Sequence, residues 1–417
     1  MHRDFRVFFR HLGHLLFVEK ASLVLHTATL PLLAKAVGLE QLGTIHFIGA
    51  ITAYFLVCIG YGFRYTATHA IAQHQDNPFA VGQILGAVYC LKMLLILFCA
   101  CIAVGLILVV PKIRQLQVFF LTYLLGASLR MLFPIFIFQG LDKMAWMTGI
   151  RVLSKIVLLL SVYTLMHKPQ DAIRYPILLA VTNTAQLCIA WYLAHYGWGV
   201  RLHKPTWPLI YAQLRQGLPI FLAKLPIAFC AKLPRIFLGL STSATQVAIY
   251  TLGVRITRLT TGIVGPLVGA LFPIAHRKFT ESSGESLKFV TRVGVASLSL
   301  LALLGGCYWL SANAIVRFLS GQVIPDAVWI LRLHAFLPCI IALSNIIGIG
   351  ISVPTGAGKQ YALISWVSGL LCVVLHVLWV PSMQARGAAV SVLLCEALSA
   401  IGISWQTCRR VKPRTNS

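Results

Sequence analysis

The chain has 417 residues, of which 58% are apolar and 11% are charged, whereas about a quarter of the residues in a soluble domain are charged. Together with a mean hydropathy of +0.83, this excludes an ordinary soluble domain and indicates a polytopic membrane protein. Lys and Arg number 35 against 10 Asp and Glu, a net charge of +25, which predicts an anionic partner.

Apolar stretches of about 20 residues, the length that crosses a bilayer, follow one another along the whole chain. They predict an all-α fold of about twelve transmembrane helices, at residues 12–35, 44–66, 84–110, 117–139, 146–166, 175–197, 217–240, 247–272, 289–311, 327–352, 360–380 and 386–408. Lys and Arg are concentrated in the connections that share a side with both termini, so the positive-inside rule places both termini in the cytoplasm. The first residues, 1–14, do not resemble a removable signal peptide.

A short internal repeat relates the two ends of the chain. Gly140–Lys143, between spans four and five, and Gly356–Lys359, between spans ten and eleven, share the pattern Gly-x-x-Lys. Since six spans separate them, the chain is expected to form two parallel six-helix bundles, at residues 1–206 and 207–417. Transporters with a substrate cavity between two halves use this plan.

Spans seven and eight carry an unusual number of basic residues. Lys224, Lys232 and Arg235 lie within an arc of about 80° on span seven, which three prolines are expected to break. Arg255 and Arg258 share one face of span eight. Because a Lys or Arg facing lipid at the bilayer centre costs about 2.5–3.5 kcal/mol, these side chains either line a water-filled cationic cavity or act as snorkelling and carbonyl-capping groups at the helix ends.

Three further basic residues are candidates for the same cavity. Arg130 lies in the middle of span four, Lys92 lies in span three, and Arg64 lies at the inner end of span two. A cavity with this charge would attract phosphate or carboxylate ligands. Three basic residues lie closer to predicted span ends, where snorkelling is an alternative to a place in the cavity: Arg151, Lys155 and Arg332.

Glu19 and Glu396 are the acidic residues within the predicted spans. Glu396 either carries a proton or is a structural partner for an Arg or a buried hydroxyl, and Glu19 has the same two interpretations, with Lys20 as its neighbour. His376 is expected to be packed rather than titrating. No catalytic, metal-binding or nucleotide-binding motif is present, so we expect neither an enzyme nor a cofactor, and no nucleic-acid partner.

Several strings together carry a family resemblance. They are residues 61–72 (YGFRYTATHAIA) followed by 76–77, residues 134–144, residues 248–256 with 266–273, and residues 387–396. In this order, and over essentially the whole chain, they resemble the span-two, span-four, span-eight and last-span patterns of Wzx-type O-antigen polysaccharide flippases. Three positions depart from the family: Arg64 stands where Asn is frequent, His69 where Arg is frequent, and Ala248 where Gly is frequent.

The resemblance implies the multidrug/oligosaccharidyl-lipid/polysaccharide exporter (MOP) superfamily, with two pseudo-symmetric six-helix bundles around a central cavity. It implies a flippase that moves undecaprenyl-diphosphate-linked oligosaccharide from the cytoplasmic to the periplasmic leaflet of the bacterial inner membrane, by alternating access. The expected partners are this lipid-linked sugar, the lipid bilayer, a polysaccharide polymerase and a chain-length regulator. The alternative is a cation-coupled multidrug exporter, or an exporter of another lipid-linked precursor, of the same superfamily.

Overall fold

The computed structural model describes residues 2–281, 283–352 and 357–411, and the side chains of residues 28–222, 225, 229–269, 271, 274, 287–352 and 357–409. These residues form helices joined by short connections, with no strand among them. The helices are α1 (His2–Gly60), α2 (Phe63–Ala72), α3 (Pro78–Val109), α4 (Pro111–Gln115), α5 (Gln117–Leu132), α6 (Ile135–Gly140), α7 (Met144–Leu165), α8 (Arg174–Tyr192), α9 (Trp207–Ser241), α10 (Ala244–Gly253), α11 (Arg255–Glu281), α12 (Ser283–Leu310), α13 (Ala312–Ser320), α14 (Pro325–His334), α15 (Leu337–Ile347) and α16 (Gly358–Val411). Short 3-10 or π-helical turns cover Pro169–Ile173, Leu193–Gly197 and Gly348–Ser352.

Two of the helices are long enough to cross the membrane twice. α1 has 59 residues and α16 has 54, which at 1.5 Å per residue is roughly 80–90 Å, against a hydrocarbon core of about 30 Å. Each is interrupted by one residue outside the helical region, Gly38 (φ 76°) in α1 and Gln384 (φ 51°) in α16. Each therefore supplies two spans.

Four spans are each made of two helices separated by a break. The second part of α1 and α2 are separated at Tyr61, α5 and α6 at Phe133, α10 and α11 at Val254, and α14 and α15 at Ala335. The bend between α10 and α11 is 53°. In the described part of the chain, length and apolarity identify eight crossing helices, or nine with this bent pair. Counting α1 and α16 twice and adding α9 gives twelve, which confirms the predicted all-α polytopic fold.

One detail of the prediction is wrong. α9 continues without interruption from Trp207 to Ser241, although the sequence predicts that Pro219, Pro226 and Pro234 break it. A proline removes one backbone hydrogen bond, but within a membrane protein neighbouring helices and hydroxyl groups can satisfy the freed carbonyl, so the helix persists.

The contacts divide the chain into two compact units, Ala36–Ile236 and Phe237–Ser417 together with Met1–Lys35. The boundary near residue 236 lies toward the end of α9, whereas the sequence predicts a division at 206/207. The start of α9 packs on the turn before α2: the Phe221 ring stacks on Tyr61 at 5.0 Å, and the Thr66 hydroxyl donates to Oε1 of buried Gln213 at 2.7 Å. The division into two six-helix bundles stays a prediction.

Each unit has its own apolar core. In 36–236 the core forms where α2, α3 and α6 meet, around fully buried Phe63, Ile71 and Phe136. In the other unit it forms between α11, α12 and α15, around Leu271 and Val290. Many large apolar side chains outside these cores are exposed, as expected of surfaces that face lipid.

Candidate functional site

The break in span four is the starting point of the site. α5 ends at Leu132, and Phe133 separates it from Pro134. Because a proline has no N–H, the last carbonyls of α5 lose their helical partners. Two side chains of α3 supply the missing donors. The Lys92 ammonium donates to the Met131 carbonyl at 2.5 Å, and the Tyr89 hydroxyl donates to the Leu132 carbonyl.

Lys92 is enclosed by the protein rather than presented to a ligand. It is 4% exposed, and its ammonium lies 5.0 Å from the centre of the Phe136 ring and 5.6 Å from that of Tyr89. Cation–π contacts of this kind compensate part of the lost hydration of a buried ammonium. Lys92 therefore acts in the structure as a support of the span-four break.

Basic side chains of α7 and α9 lie beside α5, and we call Arg130, Arg151, Lys155 and Arg235 the basic cluster. The charges of Arg130 and Arg151 both act on the Lys155 ammonium. The Arg151 guanidinium lies 5.5 Å from the centre of the Phe133 ring, at the break itself. The cluster thus joins the middle of α7 to the end of α5.

Tyr123 adds a hydroxyl to the basic cluster. The charges of Arg130 on α5 and Arg235 on α9 both act on it, and Arg235 is 8% exposed. The position of Tyr123 is tightly set, because a methyl group placed on Gly49 would come within 2.9 Å of the hydroxyl oxygen. Three helices of the 36–236 unit therefore bring guanidinium groups, an ammonium and a phenol together.

The basic cluster has an excess of positive charge. Arg130 is exposed and Lys155 is half-buried, and neither forms an ion pair with an acidic side chain within the described ranges. Neighbouring like charges repel one another unless an anion or water screens them. The arrangement is therefore suited to an anion that carries more than one negative charge.

Sequence reasoning found two members of the cluster, Arg130 and Arg235, and missed Arg151, Lys155 and Tyr123. The sequence analysis attributes Arg151 and Lys155 to snorkelling, whereas in the structure both lie well inside α7 (Met144–Leu165) and share the surroundings of Arg130. Their spacing of four residues, which places them on one helix face, is the signal that could have identified them.

Two further candidates, Arg255 and Arg258, lie on the other unit and start α11 after the bend at Val254. Both are half-buried. The Arg258 guanidinium lies 6.0 Å from the centre of the Tyr250 ring, and its charge acts on buried His334. They form a second basic region, within the other unit.

The remaining basic candidates have different surroundings. Arg64 is exposed, and its Nε donates to Oε1 of Gln139 at 3.2 Å, which ties α2 to the end of α6. Lys232 is half-buried on α9. The side chain of Lys224 lies outside the described residues.

The acidic candidates are Glu396 and Glu19. Glu396 is half-buried in the second part of α16, where its charge acts on Tyr361; it forms no ion pair with any residue that the structure describes. The side chain of Glu19 lies outside the described residues. Proton coupling through either stays a prediction. Within the ranges searched, no group of three or more His, Cys, Asp or Glu could hold a metal ion.

Comparisons with known proteins agree with this architecture. Two curated relatives carry the name "Putative O-antigen transporter". The one from Escherichia coli (strain K12) is 26% identical over 396 residues, covering 93% of this chain and 94% of the relative. The one from Shigella dysenteriae is 21% identical over 397 residues, covering 92% and 96%.

Solved structures show the same fold at low identity. An inward-facing multidrug resistance MATE transporter of the MOP superfamily has a TM-score of 0.71 and 14% identity, over 93% of this chain and 94% of that one. The lipid II flippase MurJ, in an inward closed conformation, has a TM-score of 0.66 and 12% identity, over 94% and 86%.

A family model described as "Polysaccharide biosynthesis protein" matches residues 13–278, more than half of the chain. The family and its neighbours consist of transporters and flippases, not of enzymes. The chain belongs to the polysaccharide biosynthesis protein family, and it shares the fold of MATE transporters of the MOP superfamily.

Proposed function

We propose that the protein moves an undecaprenyl-diphosphate-linked oligosaccharide, the repeat unit of O-antigen or a related surface polysaccharide, from the cytoplasmic to the periplasmic leaflet. It does so in the bacterial inner membrane, by alternating access, with both termini in the cytoplasm. The observation that carries the proposal is the basic cluster beside the break in span four.

The chemistry of the cluster fits a diphosphate. A guanidinium forms two parallel hydrogen bonds to phosphate oxygens, and an ammonium adds a compact charge. The unpaired charges of Arg130 and Lys155 would be neutralised by such a ligand, so binding would remove a repulsion as well as form new contacts. A cation-coupled drug exporter needs the opposite sign of charge for its cationic substrates.

The other basic residues extend this proposal. Lys232 and Lys224 on α9, Arg255 and Arg258 on α11, and Arg64 on α2 would hold the diphosphate or an acidic sugar at other stages of transport. Lys92 would contribute through the break that it stabilises. With the cell interior negative, outward movement of net negative charge gains about 2.3 kcal/mol per charge per 100 mV. Proton coupling through Glu396 or Glu19 would add a second driving force.

The test uses cells that lack their own O-antigen transporter and depend on this chain and its cognate sugar. The double variant Arg130→Gln, Lys155→Gln should abolish surface polysaccharide and leave the amount of protein in the membrane unchanged. Arg317→Gln, an exposed basic residue on α13, is the matched control and should retain surface polysaccharide. Normal polysaccharide in the double variant would contradict the role of the cluster.

Association with a polysaccharide polymerase and a chain-length regulator is a separate part of the proposal. Both act on the translocated sugar, so contact with them would shorten the path of the product. Co-purification from membranes after mild crosslinking tests this association. Failure to recover either protein would remove this part and leave the transport proposal intact.

A further inference from the structure

A lateral groove lies between α3 and α8 in the 36–236 unit. Its volume is about 550 Å³, within the range of small-molecule sites, about 300–1,000 Å³. Its walls are almost entirely apolar, and they are formed by Tyr89 and Met93 on α3, Leu187 and Trp191 on α8, and Leu132 at the end of α5.

The connection between α8 and α9 closes one end of this groove. Residues 201–205 run along α3 at very short distance: methyl groups placed on Gly82 and Gly86 would come within 2.1 Å of the Arg201 carbonyl oxygen and 2.2 Å of the His203 carbonyl oxygen. The His203 N–H also donates to the Gly82 carbonyl at 3.3 Å. The two glycines therefore fix this connection against the helix, and the groove end is built rather than incidental.

Basic side chains lie where this connection meets the groove. Lys204 lines it, and Arg201 lies three residues earlier; both are exposed. Within the described ranges neither forms an ion pair. Two uncompensated cations thus border a pocket whose walls are apolar, in a connection that the sequence predicts to be cytoplasmic.

We propose that this groove binds an anionic phospholipid of the cytoplasmic leaflet. One acyl chain lies against Met93, Leu132 and Leu187, and the headgroup phosphate contacts Lys204 and Arg201. Basic pockets between transmembrane helices on the cytoplasmic side favour anionic headgroups. The groove is too small to enclose an isoprenoid chain as long as that of undecaprenol, which favours a phospholipid as its occupant.

The position of the groove suggests what the lipid does. Leu132 and Tyr89 form part of its wall, and the same two residues are joined by the hydrogen bond that supports the span-four break. An acyl chain in the groove would hold this contact together. The bound lipid would therefore stabilise the conformation in which the break carries the basic cluster.

The test is native mass spectrometry of the purified full-length protein with phosphatidylglycerol or phosphatidylcholine. Phosphatidylglycerol should be retained, and the double variant Arg201→Gln, Lys204→Gln should bind it roughly 30-fold more weakly, since each basic residue contributes on the order of 1 kcal/mol near anionic headgroups. Arg114→Gln, an exposed basic residue in α4, should bind it as the parent does. Equal retention in the double variant and the parent would overturn the proposal.

Two further measurements test the position of the acyl chain and the identity of the bound lipid. Met93→Trp fills the groove from a half-exposed position and should reduce retention, while thermal unfolding shows that the variant is folded; unchanged retention would contradict the placement of the acyl chain. Added undecaprenyl diphosphate should leave the phosphatidylglycerol bound. Stoichiometric displacement would assign the groove to the transport substrate and overturn the phospholipid assignment.

Discussion

Spans four and ten occupy equivalent places in the predicted six-span repeats, and both are broken. In span four α5 stops before Phe133-Pro134. In span ten α14 stops before Ala335-Phe336, and α15 carries Pro338 in its first turn. The same sequence event, a proline close after an aromatic residue, thus breaks a helix in each half.

The two breaks are stabilised by different kinds of contact. Lys92 and Tyr89 donate hydrogen bonds to the span-four break. The span-ten break is packed against Gly305 of α12, where a methyl group would come within 2.8 Å of the Ala335 carbonyl oxygen and 3.0 Å of the Phe336 ring. One break is held by donors and the other by close contact.

The basic side chains near the two breaks also have different surroundings. Arg130, Arg151 and Lys155 gather at the first break and share one electrostatic environment. Near the second, Arg332 lies with its guanidinium 5.3 Å from the centre of the Trp309 ring. The charge of Arg258 also acts on His334, the last residue of α14, so cations lie near both breaks, but they accompany side-chain donors at the first and close packing at the second.

The largest effect is expected from the basic cluster. Arg130→Gln combined with Lys155→Gln removes two charges that have no ion-pair partner among the described side chains. The change should lower the transport rate by at least tenfold while the melting temperature stays the same or rises, because repulsion is relieved. Transport assays and thermal unfolding of the same preparation measure both. A large fall in melting temperature would indicate that the cluster is a structural element.

A smaller effect, on stability, is expected from Lys92→Met. The change keeps the volume but leaves the Met131 carbonyl without its donor, which costs about 1–3 kcal/mol. Thermal unfolding in detergent should show the loss, and transport should fall only in proportion to the folded fraction. Abolished transport at an unchanged melting temperature would instead make Lys92 a substrate contact.

The span-ten break gives a matched pair of variants on one helix. Gly305→Ala would place its methyl group against the Ala335 carbonyl oxygen and should destabilise the protein by about 1–2 kcal/mol. At Gly306 nothing lies within 4 Å of the added carbon, so Gly306→Ala should be neutral or stabilising by up to about 1 kcal/mol. Equal melting temperatures for the two variants would contradict the packed description of this break.

The smallest effect is expected from the ion pair at the start of span ten. Arg386 donates from Nη2 and Nε to Oδ1 of Asp326, at 2.6 and 2.9 Å, and both side chains are partly exposed. Arg386→Gln should cost about 0–1 kcal/mol and leave transport unchanged. Lost transport at normal stability would show that the start of span ten needs this pair during transport.

The spans could be predicted from the sequence because apolar length alone specifies them, even where two spans merge in one helix at Gly38 or Gln384. The broken spans could not, because a proline is tolerated or not according to its neighbours: α9 continues through three prolines, while α5 ends at Leu132, before Pro134. Lys92 and Lys155 show the same limit. Both are basic residues in apolar helices, and only the packing reveals that one supports a break and the other joins the cluster.

The basic cluster is proposed to bind the diphosphate of the lipid-linked sugar while the protein moves that sugar across the membrane. The most direct measurement is translocation of a fluorescent undecaprenyl-diphosphate oligosaccharide, bearing the cognate sugar, in proteoliposomes with and without an imposed membrane potential. The parent and Arg317→Gln should translocate it, and Arg130→Gln, Lys155→Gln should not. Equal translocation by the double variant, or none by the parent with its cognate sugar, would contradict the account.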